Sequence, residues 1–75
     1  MKTENFHIGA FIRAELGRQG HTVAWLSRQL NIQRPNCYRI LRAGSLQSDL
    51  LLRISVVMKH NFFSYYTIEY TEKIK

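Results

Sequence analysis

Side chains that bind anions and read hydrogen-bonding edges are concentrated in nine residues near the middle of the chain. Residues 34–42 carry Arg34, Asn36, Tyr38, Arg39 and Arg42. An arginine presents a planar fork of N–H donors that matches a phosphate or the major-groove edge of guanine, and an asparagine amide can pair with adenine. Because this stretch contains no carboxylate, its residue types favour recognition of a polyanion over catalysis.

The charge of the whole chain favours the same kind of partner. Its 75 residues contain 11 Lys and Arg against 5 Asp and Glu, which gives a net charge of +6 and a pI of about 10.0. No acidic residue lies between Glu15 and Asp49, whereas residues 61–75 sum to zero. A basic domain favours nucleic acid, although many small bacterial proteins are basic without binding it.

No other group of residues favours catalysis or metal binding. His7, His21 and His60 lie far apart and lack the spacing of ligands on one helix, so we expect no zinc site. We expect His21 to pack half-buried. Cys37 falls on an apolar stripe and is expected to be an inert core thiol. Without a base partner for a nucleophile or a Gly-rich phosphate loop, the sequence predicts no enzyme and no cofactor.

Length and composition predict one small folded domain. Apolar residues make up 45% and charged residues 21% of the chain, which is typical of a globular protein. No apolar run approaches the roughly 20 residues that a membrane-spanning helix needs. Residues 1–4 lack the pattern of a signal peptide, and a single cysteine forms no internal disulfide. We therefore expect a cytoplasmic protein, associated with the nucleoid when bound to DNA.

Helical periodicity and capping residues divide the chain into five short helices. Gly20 marks the end of the first helix, and Thr22 caps the second. Pro35 lies in the first turn of the third, where no hydrogen bond is lost. Ser48 is expected to cap the fourth. The predicted helices cover residues 6–19, 23–30, 34–41, 49–59 and 62–66.

The C-terminal residues show a different pattern. Tyr66, Ile68 and Tyr70 alternate with polar residues, which is a weak strand signal, and residues 72–75 are expected to fray. Five of the nine aromatic residues lie within residues 62–70, more than the core of so small a domain requires. They form either an exposed surface that binds a second copy or a tail folded over the first helix.

Two short helices joined by a tight turn, the second one basic and opened by proline, are typical of a helix-turn-helix. Residues 22–41 resemble the helix-turn-helix of the lambda repressor and Cro-like family (xenobiotic-response-element type) of small bacterial and phage transcriptional regulators. The resemblance depends on the joint spacing of the apolar residues, with a small residue at the close helix crossing. These motif positions are Leu26, Ser27, Leu30, Ile32, Cys37 and Ile40.

The resemblance extends over about three quarters of the chain. It includes the Ile8-Gly9 pair, Gly20, the Gly44 turn and the fourth-helix stripe with Phe62. It implies an all-α, five-helix lambda-repressor-like domain over residues 6–66, with residues 1–5 as an arm and residues 67–75 as a tail.

The resemblance also implies double-stranded DNA as the partner, with the third helix in the major groove. Base-edge candidates are then Arg34, Asn36, Tyr38 and Arg39, and phosphate candidates are Thr22, Val23, Gln33 and Arg42. The chain departs from the family at Val23, where glutamine commonly binds phosphate, and at Trp25, where glutamate is common. We expect Trp25 to cover an edge of the core.

We expect a two-fold homodimer, because one recognition helix rarely gives useful specificity. The candidate contact residues are Tyr65, Tyr66, Ile68 and Tyr70, pairing as a two-stranded ribbon or packing against the fifth helix. The alternative function is a protein-interaction module of the same fold, an antitoxin or regulatory partner, that acts through this aromatic segment.

Overall fold

The computed structural model describes residues 6–75, which form helices joined by short turns. The helices are α1 (Ile8–Gln19), α2 (Val23–Leu30), α3 (Arg34–Arg42), α4 (Ser48–Met58) and α5 (Phe63–Lys73). The described residues contain no strand. The predicted all-α class and the number of helices are confirmed, while the expected arm at residues 1–5 lies outside the described residues. None of these helices has the length and apolar character needed to cross a bilayer.

The ends of α1 and α2 follow the signals in the sequence. α1 ends at Gly20, whose φ of 78° lies in the left-handed region that glycine adopts without strain. The Thr22 hydroxyl accepts a hydrogen bond from the Trp25 N–H at 3.0 Å and caps α2. Asn31 ends α2 with a φ of 59°, and Pro35 lies in the first turn of α3. The tight turn between α2 and α3 therefore has the predicted form.

The start of α4 differs by one residue from the prediction. Gln47 is the N-cap and makes no side-chain capping bond, whereas Ser48 is the first helical residue. Asp49 lies in the first turn, where its negative charge favours the helix dipole. Its carboxylate also accepts the N–H of Leu50 at 2.9 Å, so an acidic first turn takes the role that we had assigned to Ser48.

The prediction of an extended C-terminal segment is wrong. The segment with Tyr66, Ile68 and Tyr70 lies within α5, which continues to Lys73 instead of ending near Tyr66 and fraying. The structure buries or half-buries Phe62, Tyr65, Tyr66 and Glu69, which are spaced as one face of a helix. Packing of that face outweighs the short period-two alternation, and a Glu69–Lys73 ion pair at 3.6 Å spans the last turns.

The core forms where one face of each of the first four helices meets the residue before α5. Its fully buried apolar residues are Ile8, Ile12, Leu16, Leu26, Leu30, Cys37, Leu41, Leu51, Ile54, Met58 and Phe62. Ser27 is also buried, as expected for a small residue at a close crossing. Of the other expected motif positions, Leu26, Leu30 and Cys37 belong to this cluster, whereas Ile32 and Ile40 are only partly buried at its edge.

The start of α1 is joined closely to the end of α3. A Cβ atom at Gly9 would lie 2.0 Å from the carbonyl oxygen of Leu41 and 2.9 Å from that of Ala43, so the approach requires glycine. His7 caps α1, because its Nδ1 accepts the N–H of Ala10 at 3.0 Å. Its Nε2 donates to the carbonyl oxygen of Arg42 at 3.1 Å. The position of α3 is thus set by α1 as well as by α2.

A buried carboxylate joins the middle of α1 to the end of α4. Glu15 accepts hydrogen bonds from Arg18 Nε at 2.9 Å and from Gln19 Nε2 at 2.8 Å. Gln19 Nε2 also donates to the carbonyl oxygen of Met58 at 3.0 Å, and His60 Nδ1 lies 3.4 Å from the carboxylate. The bonds from Arg18 and Gln19, helped by the positive charges nearby, lower the pKa of Glu15 to about 2.

Candidate nucleic-acid interface

One face of α3 docks on the core and the opposite face is exposed. Cys37 and Leu41 are fully buried, and α3 packs through that side against α1 and α2. The residues exposed on α3 are Arg34, Pro35, Asn36, Tyr38, Arg39 and Arg42. The structure therefore brings the four base-edge candidates of the sequence together on one helix, with no carboxylate among them.

Two of these side chains are hydrogen-bonded to each other. The Asn36 carbonyl oxygen accepts a bond from Arg39 Nη2 across one turn of the helix. Because a guanidinium has five N–H donors, this bond leaves Arg39 others with which to contact a ligand. The pair orders two flexible side chains on the exposed face, which reduces the entropy that a bound partner would have to remove.

Arg13 of α1 extends this exposed face, although it is not among the residues predicted from the sequence to bind DNA. Its guanidinium carbon lies 5.7 Å from the centroid of the Tyr38 ring, within the range of a cation–π contact. Arg13 stands 25 positions before Tyr38, outside the helix-turn-helix. Gly9 is the one feature of the sequence that could have indicated this position. A glycine that lets α1 approach α3 closely also places Arg13, one turn later on α1, near α3.

The phosphate candidates lie at the starts of two helices and at the end of α3. Thr22 is exposed, but its hydroxyl already caps α2. Val23 is half-buried, and its carbonyl oxygen accepts a weak bond from Cys37 Sγ at 3.9 Å, so the first turn of α2 lies against the middle of α3. Gln33 is the N-cap of α3 without a side-chain capping bond, and Arg42 is exposed in the last turn.

His21 and Trp25 form a stacked pair beside the first turn of α2. Their ring centroids are 3.6 Å apart and the ring planes differ by 3°. Both side chains are half-buried, and Trp25 packs against the edge of the core. The two interpretations made from the sequence, a half-buried His21 and a Trp25 that covers the core edge, agree with this arrangement.

Cys37 is fully buried where α2 meets α3. Burial raises the pKa of its thiol, because a thiolate there would lose its hydration. Burial therefore disfavours the thiolate, which is the form of cysteine that reacts as a nucleophile. Within residues 6–75 no three His, Cys, Asp or Glu side chains come together as metal ligands.

The four dimer candidates of the sequence do not share one surface. Tyr65 stacks on Phe11 of α1 at 4.4 Å, and Tyr66 packs on Phe6 at 4.8 Å. Both are half-buried against the core, and burial raises the pKa of Tyr66. Ile68 and Tyr70 are exposed, but residues two apart on a helix point in nearly opposite directions. Tyr65 and Tyr66 therefore fit the alternative of a segment folded over the first helix. Of the four, only Ile68 and Tyr70 are exposed enough to contact a second copy.

An apolar groove lies between α5 and the connection from α3 to α4. It has a volume of about 330 Å³ and is lined by Ser45, Leu46, Ser48, Leu51, Phe63 and Tyr66. Tyr70 and Ile74 follow Tyr66 at successive helical turns, and both are more than 60% exposed. We call Tyr66, Tyr70 and Ile74 the α5 stripe, because they continue the apolar surface of the groove along the helix.

The chain was compared with family models, with curated proteins and with solved structures. None of the three comparisons found a match. What these surfaces do is therefore inferred from their residues and geometry.

Proposed function

We propose that this protein is a sequence-specific, double-stranded DNA-binding transcriptional regulator of the lambda repressor and Cro-like kind, with α3 in the major groove. The exposed face of α3 carries this proposal, because it combines three arginines, an amide and a phenol with no carboxylate. Of these side chains, arginine is the one that reads guanine edges and the asparagine amide the one that reads adenine edges. A surface that only contacts solvent can carry acidic as well as basic residues, whereas a surface that binds DNA phosphates disfavours carboxylates.

The dimensions of α3 suit that role. An α-helix with its side chains is about 10–12 Å in diameter, and the major groove, about 12 Å wide, admits one such helix. The nine residues of α3 could therefore lie in it. Arg34, Asn36, Tyr38 and Arg39 would then face base edges. The contact of Gly9 with the end of α3 and the burial of Cys37 support the proposal, because a reading helix has to be held rigidly by its own fold.

Phosphates would bind at the edges of the groove. The free backbone N–H groups in the first turn of α2, at Val23, favour an anion together with the helix dipole. Gln33 and Arg42 flank the exposed face of α3, and the side chain of Gln33, the N-cap residue, makes no capping bond. Thr22 contributes mainly by fixing the start of α2, since its hydroxyl is the cap.

The regulator would act as a two-fold dimer, which places two α3 helices about 34 Å apart on one side of the DNA. The α5 stripe supports this part of the proposal, because it is apolar, is exposed at Tyr70 and Ile74, and lies in a segment with no net charge. Two copies with a charge of +6 each repel least where they meet through such a neutral surface. Pairing would be between helices, since the segment forms no strand.

Selection of bound sequences from fragmented genomic DNA, followed by salt titration of the best site, tests the proposal. We expect one enriched motif and an affinity that falls steeply with salt, because each neutralised phosphate adds about 0.9 to the slope of log K against log salt. Lys75→Ala, which removes a charge at the far end of the chain, serves as the control variant. Binding without an enriched motif, or without salt dependence, would refute the proposal.

A protein-interaction module is the second candidate, and the apolar groove beside α5 favours it. A partner helix or loop could bury apolar side chains against Leu46, Leu51 and Phe63. Such an antitoxin or regulatory partner would use the same fold without a groove-reading role for α3. Binding through this groove would change little with salt, which separates it from DNA binding.

A further inference from the structure

The contact between Arg13 and Tyr38 joins two exposed residues from different helices. Arg13 lies on α1, and its guanidinium covers one face of the Tyr38 ring at 5.7 Å. Both residues are exposed, so the contact contributes little burial. A guanidinium over an aromatic face is attracted by the ring quadrupole and prefers one position. The contact therefore restricts the Arg13 side chain to conformations directed toward α3, where it would otherwise sample many rotamers in solvent.

The packing of α1 on α3 explains why these two residues meet. Gly9 contacts the backbone at Leu41, and Arg13, one turn later on α1, contacts Tyr38, one turn earlier on α3. The two helices therefore run in opposite directions along their contact. Tyr38 stands one turn from Arg34 and one turn from Arg42, so Arg13 is added to the middle of an arginine row about 12 Å long.

Arg13 has no acidic partner among the described residues. The ion pairs of residues 6–75 involve other cations. Glu15, on the same helix, is buried and bonded to Arg18 and Gln19. Placing a guanidinium beside other arginines without a carboxylate raises the local positive potential. An anion bound at this position removes that repulsion.

We propose that Arg13 binds a DNA backbone phosphate and that Tyr38 is the positioning residue that directs it there. This inference depends on the proposed function. A helix with its side chains is about as wide as the major groove. When α3 fills the groove, a side chain from the helix beside it meets the phosphates along the wall instead of the bases. Arg13 would therefore add affinity without adding sequence preference.

Salt titrations on the selected site test the inference, with Arg13→Ala compared with Lys75→Ala. Both variants lose one positive charge, but only Arg13 lies beside α3. We expect Arg13→Ala to reduce the slope of log K against log salt by about 0.9, the loss of one phosphate contact. Lys75→Ala should leave it near the wild-type value. The enriched motif should be the same for Arg13→Ala and wild type, and the thermal midpoint of Arg13→Ala should be unchanged.

The role of Tyr38 is tested by repeating Arg13→Ala in two further backgrounds. In Tyr38→Phe the ring remains, and the loss caused by Arg13→Ala should equal that in wild type. In Tyr38→Leu the ring is absent, and the same change should have a smaller effect, since interacting residues are not additive. Equal losses in both backgrounds would overturn the positioning role.

The failure of this inference differs from the failure of the proposed function. If wild type binds its site with a steep salt dependence and Arg13→Ala behaves as Lys75→Ala does, the phosphate contact is refuted and the groove assignment of α3 stands. If wild type itself shows no salt-dependent, motif-specific binding, the proposed function fails before any variant is compared.

Discussion

At the scale of single residues, the exposed and buried sides of α3 make separate contributions. Arg34 and Arg39 are exposed, whereas Cys37 and Leu41 are fully buried. Substitutions on the exposed side therefore change what the helix can bind without removing the contacts that hold it in place. The proposed DNA-binding role can therefore be tested with variants that are expected to stay folded.

Replacing Arg34 or Arg39 with alanine should leave the fold intact and weaken specific binding. A bidentate contact to guanine contributes about 1–3 kcal/mol, so the loss corresponds to tenfold or more. Fluorescence anisotropy on the selected site measures the affinity, and thermal unfolding checks that stability is unchanged. If both variants bind that site as tightly as wild type, α3 does not read it.

Gly9→Ala should destabilise the protein. The new methyl group would lie 2.0 Å from the Leu41 carbonyl oxygen, so α1 and α3 must move apart. Overpacking of this kind costs about 1–3 kcal/mol or more. Chemical denaturation measures the free energy of unfolding.

Gly17→Ala is the matched control on the same helix. No atom lies within 4 Å of the position of its Cβ, and alanine is favoured over glycine inside a helix by about 1 kcal/mol. We therefore expect opposite signs for the two substitutions. A Gly9→Ala protein as stable as Gly17→Ala would contradict the close contact of α1 with α3.

At the scale of elements, polar side chains join α1 to the ends of two other helices, α3 and α4. His7 connects its start to α3, and Glu15 with Gln19 connects its middle to the end of α4. The second connection depends on an ionised carboxylate. Its effect on stability therefore changes with pH.

Stability should fall between pH 4.5 and pH 2 partly because of Glu15. Its pKa is about 2 in the folded protein against an ordinary value of 4.5. The ionised form is thus favoured by folding: its stabilising effect is fully present above pH 4.5 and is lost as the pH approaches 2. Thermal midpoints across this range, compared with those of Glu15→Gln, measure the contribution.

The variant should lose less stability over this pH range than wild type does, since its amide does not titrate. The other carboxylates titrate in both proteins, so the difference between the two curves isolates Glu15. Parallel curves would show that the carboxylate does not make these hydrogen bonds in solution.

The sequence predicted α1, α2 and α3 well because their ends have local signals. Gly20, Thr22, Asn31 and Pro35 favour particular backbone conformations whatever surrounds them. Most of the motif core followed, since helical spacing determines which residues share a face. The α2–α3 pair and the arginines on the exposed side of α3 could therefore be predicted from the sequence.

Two features could not be predicted so directly, because they depend on contacts between distant residues. The aromatic segment was read as extended, but packing of Tyr65 on Phe11 stabilises a helix there. Likewise, the place of Arg13 beside Tyr38 follows from how α1 crosses α3. Neither contact can be predicted from the residues next to it in the chain. Gly9, which permits the close approach of α1 to α3, is the one indication of the second contact.

At the scale of the whole molecule, charge is distributed unevenly over the surface. The exposed face of α3 is basic, whereas α5 holds its charges in Glu69–Lys73 and Glu72–Lys75 pairs. A dimer that uses α5 would leave both basic faces available to DNA. The α5 stripe is thus the surface on which assembly is best tested.

If the protein dimerises through the α5 stripe as proposed, Tyr70→Glu combined with Ile74→Glu should give a monomer that binds DNA only weakly. Both side chains are exposed, so folding is retained while the apolar stripe becomes charged. Ile68→Glu is the control, because Ile68 is equally exposed but points away from the stripe. Analytical ultracentrifugation, with and without DNA, measures the state of assembly. A wild-type protein that is monomeric at high micromolar concentration and on its operator would end the dimer proposal.

The side chain of His7 couples the start of α1 to the end of α3. It spans 35 positions of the chain, with Nδ1 bonded to the Ala10 N–H and Nε2 to the Arg42 carbonyl oxygen. Opening the end of α3 breaks the Nε2 bond that helps to orient the imidazole, so we expect the cap of α1 to weaken. The two helix ends therefore open as one cooperative unit, although they are distant in the chain. The Ala10 amide also donates to the His7 carbonyl oxygen at 3.1 Å, so we expect its hydrogen exchange to quicken, without losing all protection, when α3 undocks.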